Sequence, residues 1–94
     1  MIDWTDPALK QLDQACNYIR ASNSEAVAAS VAEHVFSTIE VLDTFPMLGR
    51  GGRVAGTREL VIPKSPFLVT YAIDKKRIAI LALYHGAQRW PGKI

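Results

Sequence analysis

Glu59, His85 and Arg89 in the second half of the sequence are residue types that a ribonuclease uses. Such an enzyme needs a base for the ribose 2′-hydroxyl, an acid for the leaving oxygen and a cation for the charged phosphate. The carboxylate, the imidazole and the guanidinium could fill these roles if the fold brings them together. Arg58, beside Glu59, adds another cation.

The same residues also fit a structural interpretation, in which Glu59 is an exposed strand residue paired with Arg58 or a lysine. His85 would then end a strand with its ring bonded to the backbone. The sequence has no phosphate-binding glycine loop and no dinucleotide fingerprint. Its one cysteine, Cys16, and its two histidines have no metal-ligand spacing. We therefore expect no cofactor and no metal.

Length and composition indicate one folded domain, residues 1–94. Hydrophobic residues make up 49% of the chain and charged residues 21%, close to the averages for soluble domains, which excludes a disordered chain. No apolar run approaches the roughly 20 residues that a membrane-spanning helix needs. Because Cys16 is a lone cysteine that suits an apolar core, we expect a reducing, cytoplasmic environment and no membrane contact.

Charge is divided unevenly along the chain. Residues 1–48 carry two basic and seven acidic residues, for a net charge of −5. Residues 49–94 carry nine basic and two acidic residues, for a net charge of +7. This asymmetry predicts one acidic and one basic face, the basic one suited to nucleic acid or to an acidic protein.

Apolar residues recur at helical spacing in the first half. Asp6-Pro7 is typical of a helix start, with Asp6 as the capping side chain. A stripe of Leu9, Leu12, Cys16 and Ile19 predicts the first helix. Ser24 can cap a second helix, which carries a stripe of Ala28, Val31, Val35, Ile39 and Leu42 and ends before Pro46. The short connection predicts a helical hairpin.

The second half changes to the composition of strands. Residues 45–56 are predicted to form a loop, and three strands follow at Arg58–Ile62, Phe67–Ile73 and Arg77–Tyr84. Short turns between them predict an antiparallel meander, and Ile2–Trp4 is a candidate fourth strand. The predicted order is β-α-α-β-β-β, an α+β fold in which an N-terminal helical hairpin packs on a twisted antiparallel sheet.

Short motifs along nearly the whole chain resemble the RelE/ParE superfamily of bacterial toxins, and most closely its ParE branch, the plasmid stabilisation toxins. They are Trp4-Thr5-Asp6-Pro7-Ala8-Leu9, Phe45-Pro46 with Gly49-Arg50, Gly52-Arg53-Val54, Gly56-Thr57-Arg58-Glu59-Leu60-Val61-Ile62, Pro66-Phe67-Leu68-Val69 with Tyr71, and His85-Gly86-Ala87-Gln88-Arg89-Trp90-Pro91.

The resemblance implies a growth-inhibiting toxin that is neutralised by an antitoxin encoded beside it. The two proteins would form a hetero-oligomer that contacts operator DNA only through the antitoxin. ParE-like members inhibit DNA gyrase and trap it on cleaved DNA, whereas RelE-like members cut messenger RNA. On the gyrase interpretation, Arg58, His85 and Arg89 form a target-binding surface and no residue is catalytic.

The residues favour the ParE branch. RelE-like ribonucleases carry basic side chains on the first meander strand and an arginine early in the second, where this chain has Glu59 and Leu68. An apolar Leu68 cannot neutralise a phosphate. Ala72 and Gln88 stand where relatives often carry arginine, so this copy has less positive charge there. A ribonuclease using Glu59, His85 and Arg89, and a toxin-like fold without toxicity, are the alternatives.

Overall fold

Two helices separate a short first strand from four later strands in the structure, a computed structural model that describes residues 1–65 and 67–85. The elements are β1 (Ile2–Trp4), α1 (Asp6–Ser22), α2 (Glu25–Glu40), a short 3-10 helix (Val41–Asp43), β2 (Arg50–Gly51), β3 (Arg58–Val61), β4 (Phe67–Asp74) and β5 (Arg77–His85). The α+β fold predicted from the sequence is confirmed.

The starts of the two helices are fixed in different ways. The Ser24 hydroxyl accepts a hydrogen bond from the N–H of Val27 (3.1 Å), which confirms the predicted cap of α2. The residue that precedes α1 is Thr5, and Asp6 is already helical, so the predicted capping role of Asp6 is wrong. The Thr5 hydroxyl donates instead to the carbonyl oxygen of Ile80 (2.7 Å) and ties the start of α1 to β5.

The core lies between the helices and one face of the sheet. Helix α1 buries Ala8, Leu12 and Cys16, whereas the predicted core residue Leu9 is 43% exposed. The buried stripe of α1 is therefore Ala8, Leu12 and Cys16, and it begins one residue earlier than the sequence indicated. Helix α2 contributes Ala28, Val35 and Ile39, and the sheet contributes residues that include Leu60, Val69, Tyr71, Ile80 and Leu83.

The sheet has the strand order β1-β5-β4-β3-β2. Strands β3, β4 and β5 form the predicted antiparallel meander. Two features were not predicted: β1 pairs with β5 in parallel, which makes the sheet mixed, and β2 forms within the segment expected as a loop. A register shift at Thr70/Tyr71 brings Thr70 opposite Ala82 and Tyr71 opposite Ile80.

Cys16 behaves as a small core residue, as predicted. Burial raises the pKa of its thiol, an effect that the positive charge of Arg20 opposes and the negative charge of Asp13 reinforces. A buried thiol with a raised pKa is a poor nucleophile, because the thiolate is the reactive form. In the described part of the chain, neither helix has the length and apolar composition to span a bilayer.

Candidate functional site

A tight turn follows the 3-10 helix and places three large apolar side chains on the surface. The N–H of Leu48 donates to the carbonyl oxygen of Phe45 (3.1 Å), so residues 45–48 form a β-turn. Pro46 occupies its second position, where the fixed φ of proline suits a turn. The residues Phe45, Met47 and Leu48 are 60%, 64% and 54% exposed. We call these three side chains the apolar knob.

The hydroxyl of Tyr71 binds one backbone group inside this turn and one directly after it. Tyr71 lies on β4 and is fully buried. Its hydroxyl donates to the carbonyl oxygen of Pro46 (2.7 Å) and accepts from the N–H of Gly49 (2.8 Å). A Cβ on Gly49 would lie 2.7 Å from the Tyr71 hydroxyl oxygen and 2.7 Å from the carbonyl oxygen of Glu59. Glycine is therefore required for this close approach.

Arg58 binds two further carbonyl groups, one within the turn and one directly after it. Its Nε donates to the carbonyl oxygen of Gly49 (2.8 Å), and its Nη2 donates to that of Met47 (3.2 Å). We call Tyr71 and Arg58 the clamp. Because the clamp binds the carbonyls of Pro46, Met47 and Gly49 and the N–H of Gly49, the backbone below the apolar knob is fixed on the sheet.

We expect Arg58→Lys to lower the free energy of unfolding by about 1–2 kcal/mol, because a lysine cannot reproduce the planar fork of donors that spans two carbonyls. The matched control is Arg77→Lys, since Arg77 pairs with Asp3 at an exposed site (2.9 Å) and surface pairs contribute little. Urea unfolding of both variants measures the difference. Equal stability of the two variants would contradict the clamp role of Arg58.

Glu59 lies beside Arg58 but is directed to a different set of partners. It is only 7% exposed, so the interpretation of Glu59 as an exposed strand residue is wrong. Its Oε1 accepts from Nη2 of Arg50 (3.3 Å), the residue opposite it on β2, and its Oε2 accepts from the N–H of Arg53 (3.2 Å). The Glu59 side chain therefore joins Arg50 on β2 and Arg53 in the following loop to strand β3.

A small cavity of about 130 Å³ lies beside Glu59. Its lining is partly apolar and partly polar: Arg53, Val54, Thr57, Glu59, Leu68, Thr70 and Tyr84. Side chains alternate between the two faces of a strand, so the neighbours Arg58 and Glu59 lie on opposite faces of β3. Of Arg58 and Glu59, the predicted site residues whose side chains the structure describes, only Glu59 lines this cavity.

His85 ends β5, where the register sets it opposite Phe67. Glu59 is opposite Thr70, which is opposite Ala82, so Glu59 and His85 are two strands and three residues apart. Strand spacing and rise place their Cα atoms about 14 Å from each other. Arg89 lies outside the described residues. The grouping of Glu59, His85 and Arg89 therefore stays a prediction.

A second cleft, of about 330 Å³, opens where the helical hairpin meets the β3–β4 turn. Apolar side chains line much of it, among them Ile19, Val27, Val31 and Phe67, with Lys64 at its edge. His34 also lies there, and its Nε2–H donates to the carbonyl oxygen of Pro63 (2.6 Å), which joins α2 to the turn. Within residues 1–65 and 67–85, no three His, Cys, Asp or Glu side chains are grouped to hold a metal.

The roles of the clamp and of the apolar knob were not predicted from the sequence. Phe45, Pro46, Gly49, Arg58 and Tyr71 all stand in the motifs on which the family resemblance rests, but no spacing rule connects them. The signal that the sequence did carry was Pro46 and Gly49 close together after the predicted second helix, a pattern that indicates a turn.

Comparisons with known proteins agree on one family. The family described as "ParE toxin of type II toxin-antitoxin system, parDE" matches residues 2–90. A protein of Sinorhizobium fredii (strain NBRC 101917 / NGR234), "Putative toxin Y4kP", is 37% identical over 90 residues, covering 96% of this chain and 92% of that protein. A solved chain of the chromosomal ParDE TA system from P. aeruginosa superposes with a TM-score of 0.82 at 22% identity, covering 89% of this chain and 92% of the other. This chain is a member of the ParE toxin family of type II toxin–antitoxin systems.

Proposed function

We propose that this protein inhibits DNA gyrase by trapping it on cleaved DNA, and that a cognate antitoxin encoded beside it neutralises it. Membership of the ParE toxin family supports a role as the toxin of a type II pair. The toxin acts in the cytoplasm, as one partner of a hetero-oligomer that contacts operator DNA through the antitoxin.

The burial and hydrogen bonding of Glu59 are the observation that favours protein inhibition over RNA cleavage. A general base must reach the proton that it removes. Glu59 is 7% exposed, and its two carboxylate oxygens already accept hydrogen bonds, one from Arg50 on β2 and one from the N–H of Arg53 in the following loop. Leu68 lines the same cavity and supplies no cation for a phosphate, so Arg53 is the one cationic residue among the described lining residues. These features suit a residue that organises the fold rather than one that presents a base to RNA.

The cleft between the helical hairpin and the β3–β4 turn suits an antitoxin segment. An antitoxin tail that folds on binding can insert its apolar side chains into a concave apolar surface. The lining residues Val27 and Phe67 supply such a surface, and Lys64 supplies a positive charge at its edge for an acidic segment.

The test measures supercoiling by purified DNA gyrase with the toxin alone and with equimolar product of the neighbouring gene. We expect the toxin to inhibit supercoiling and to accumulate cleaved DNA, and the antitoxin to restore supercoiling. Supercoiling that continues unchanged at a large excess of toxin would overturn the gyrase proposal. Inhibition that the neighbouring gene product leaves unchanged would overturn neutralisation by that partner.

A further inference from the structure

The apolar knob exposes hydrophobic surface on a turn whose backbone is held in place. Exposed single apolar side chains are common, but three within four successive residues concentrate apolar surface on one turn, as interaction sites do. Phe45, Met47 and Leu48 each expose more than half of their surface. None of them belongs to the core cluster of the described residues.

Buried polar groups beneath the turn hold its backbone in place. Tyr71 places its hydroxyl under the turn, Arg58 directs its guanidinium at two turn carbonyls, and Gly49 leaves no room for a Cβ. These contacts give the buried Tyr71 hydroxyl and the turn carbonyls their hydrogen-bond partners, and they fix the backbone that carries the apolar knob. Surfaces held in their bound shape lose less conformational entropy on association, so order of this kind strengthens binding.

The shape of the knob indicates the kind of partner. Side chains at the tip of a β-turn project outward and complement a concave pocket on the partner, whereas a tail that folds on binding inserts its own side chains into a groove. The cleft beside Val27 and Phe67 is the concave surface that suits such a tail. The knob and the cleft therefore fit two different partners.

Positive charge beside the apolar knob indicates which charge the partner surface carries. Arg50 follows the knob by two residues and its side chain is 67% exposed, although it pairs with Glu59. Arg53 follows on the same loop and is also exposed. A partner surface that carries carboxylates next to an apolar pocket would complement both parts, because opposite charges across an interface raise the association rate.

We propose that the apolar knob is the anchor by which the toxin binds the protein that it inhibits, inserting into a concave apolar pocket bordered by carboxylates. This inference rests on the proposed function in one respect, that the target is a protein. It does not require that the protein is gyrase.

The experiment compares the double variant Met47→Ser/Leu48→Ser with the control Tyr18→Ser/Val61→Ser. Tyr18 and Val61 are also exposed hydrophobic residues, at 68% and 56%, but they lie outside the turn, the cavity beside Glu59 and the cleft. Three measurements are made on each protein: growth inhibition on induction, affinity for purified DNA gyrase, and affinity for the product of the neighbouring gene. Thermal unfolding verifies that both variants are folded.

We expect the knob variant to lose growth inhibition and at least tenfold in gyrase affinity, with antitoxin affinity within twofold of wild type. The control should match wild type in all three measurements. We also expect added salt to weaken gyrase binding by the wild-type protein, because screening reduces the attraction to carboxylates.

Each other outcome has a distinct meaning. A knob variant as toxic as wild type would overturn the inference and leave the gyrase proposal intact. In a third case the wild type is toxic but does not bind gyrase, and the knob variant is not toxic. That result would support the inference and overturn gyrase as the target. A knob variant that loses antitoxin affinity while keeping gyrase affinity would assign the knob to the antitoxin interface and overturn the inference.

Discussion

Tyr71→Phe should lower the free energy of unfolding by about 1–3 kcal/mol, although it removes a single oxygen atom. That oxygen is the partner of the Pro46 carbonyl and of the Gly49 N–H. The phenylalanine ring fills the same space but leaves both backbone groups without this partner. Tyr71→Ala removes the fully buried ring as well and should cost about 3–5 kcal/mol, a large part of the roughly 5–15 kcal/mol of a typical small domain.

The matched control for this prediction is Tyr18→Phe, because Tyr18 is 68% exposed on α1. Its stability should lie within about 0.5 kcal/mol of wild type. Urea unfolding followed by circular dichroism measures all three variants. If Tyr71→Phe proves as stable as Tyr18→Phe, the buried hydroxyl does not hold the turn and the order assigned to the apolar knob is wrong.

Elements with a regular hydrophobic period could be predicted from the sequence. The stripes of α1 and α2 and the apolar strands of the meander follow from the requirement that each element bury one face. The limit of this rule is visible at the start of α1. Ala8 and Leu9 are both apolar, and tertiary packing, which no local pattern encodes, buries Ala8 and exposes Leu9.

Features that depend on contacts between distant residues could not be predicted. Strand β2 pairs with β3 where Arg50 lies opposite Glu59, and two residues between glycines carry no strand signal of their own. The parallel pairing of β1 with β5 joins residues 76 positions apart in sequence, such as Ile2 and Ile78. The bond between Tyr71 and Gly49 likewise spans 22 residues. Such contacts become visible only once the register of the sheet is known.

The sequence named candidate site residues but did not indicate how their side chains are arranged. Arg58 and Glu59 were both identified as important, but adjacent strand residues face opposite ways, and the two side chains serve different parts of the 45–56 segment. We expect Arg58 to affect target recognition through the turn that it holds. His85 and Arg89 stay predicted members of the target-binding surface.

Glu59→Gln should leave gyrase inhibition within a few-fold of wild type. Neither the wild-type toxin nor the Glu59→Gln variant should cleave RNA. The amide is nearly isosteric with the carboxylate and its carbonyl oxygen can still accept from the N–H of Arg53. With that oxygen on the Arg53 N–H, the amide nitrogen faces Nη2 of Arg50, and two donors cannot bond each other, so the contact with Arg50 is lost. Arg50 is 67% exposed, so its guanidinium can bind water instead. If Glu59 were instead the base of a ribonuclease, the same change would reduce an RNA-cleavage rate by about 10²–10⁴-fold.

The full panel therefore pairs gyrase supercoiling and DNA-cleavage assays with an RNA-cleavage assay on wild type, Glu59→Gln, His85→Ala and Arg89→Ala, with Glu33→Gln at an exposed position of α2 as control. For His85→Ala and Arg89→Ala we expect a modest loss of gyrase inhibition. The loss for Arg89→Ala should shrink as salt is added, because exposed charged contacts are screened. RNA cleavage that disappears in Glu59→Gln but not in Glu33→Gln, with supercoiling unaffected throughout, would replace the gyrase proposal with the ribonuclease. The carboxylate at position 59 separates the two functions because only one of them requires its charge.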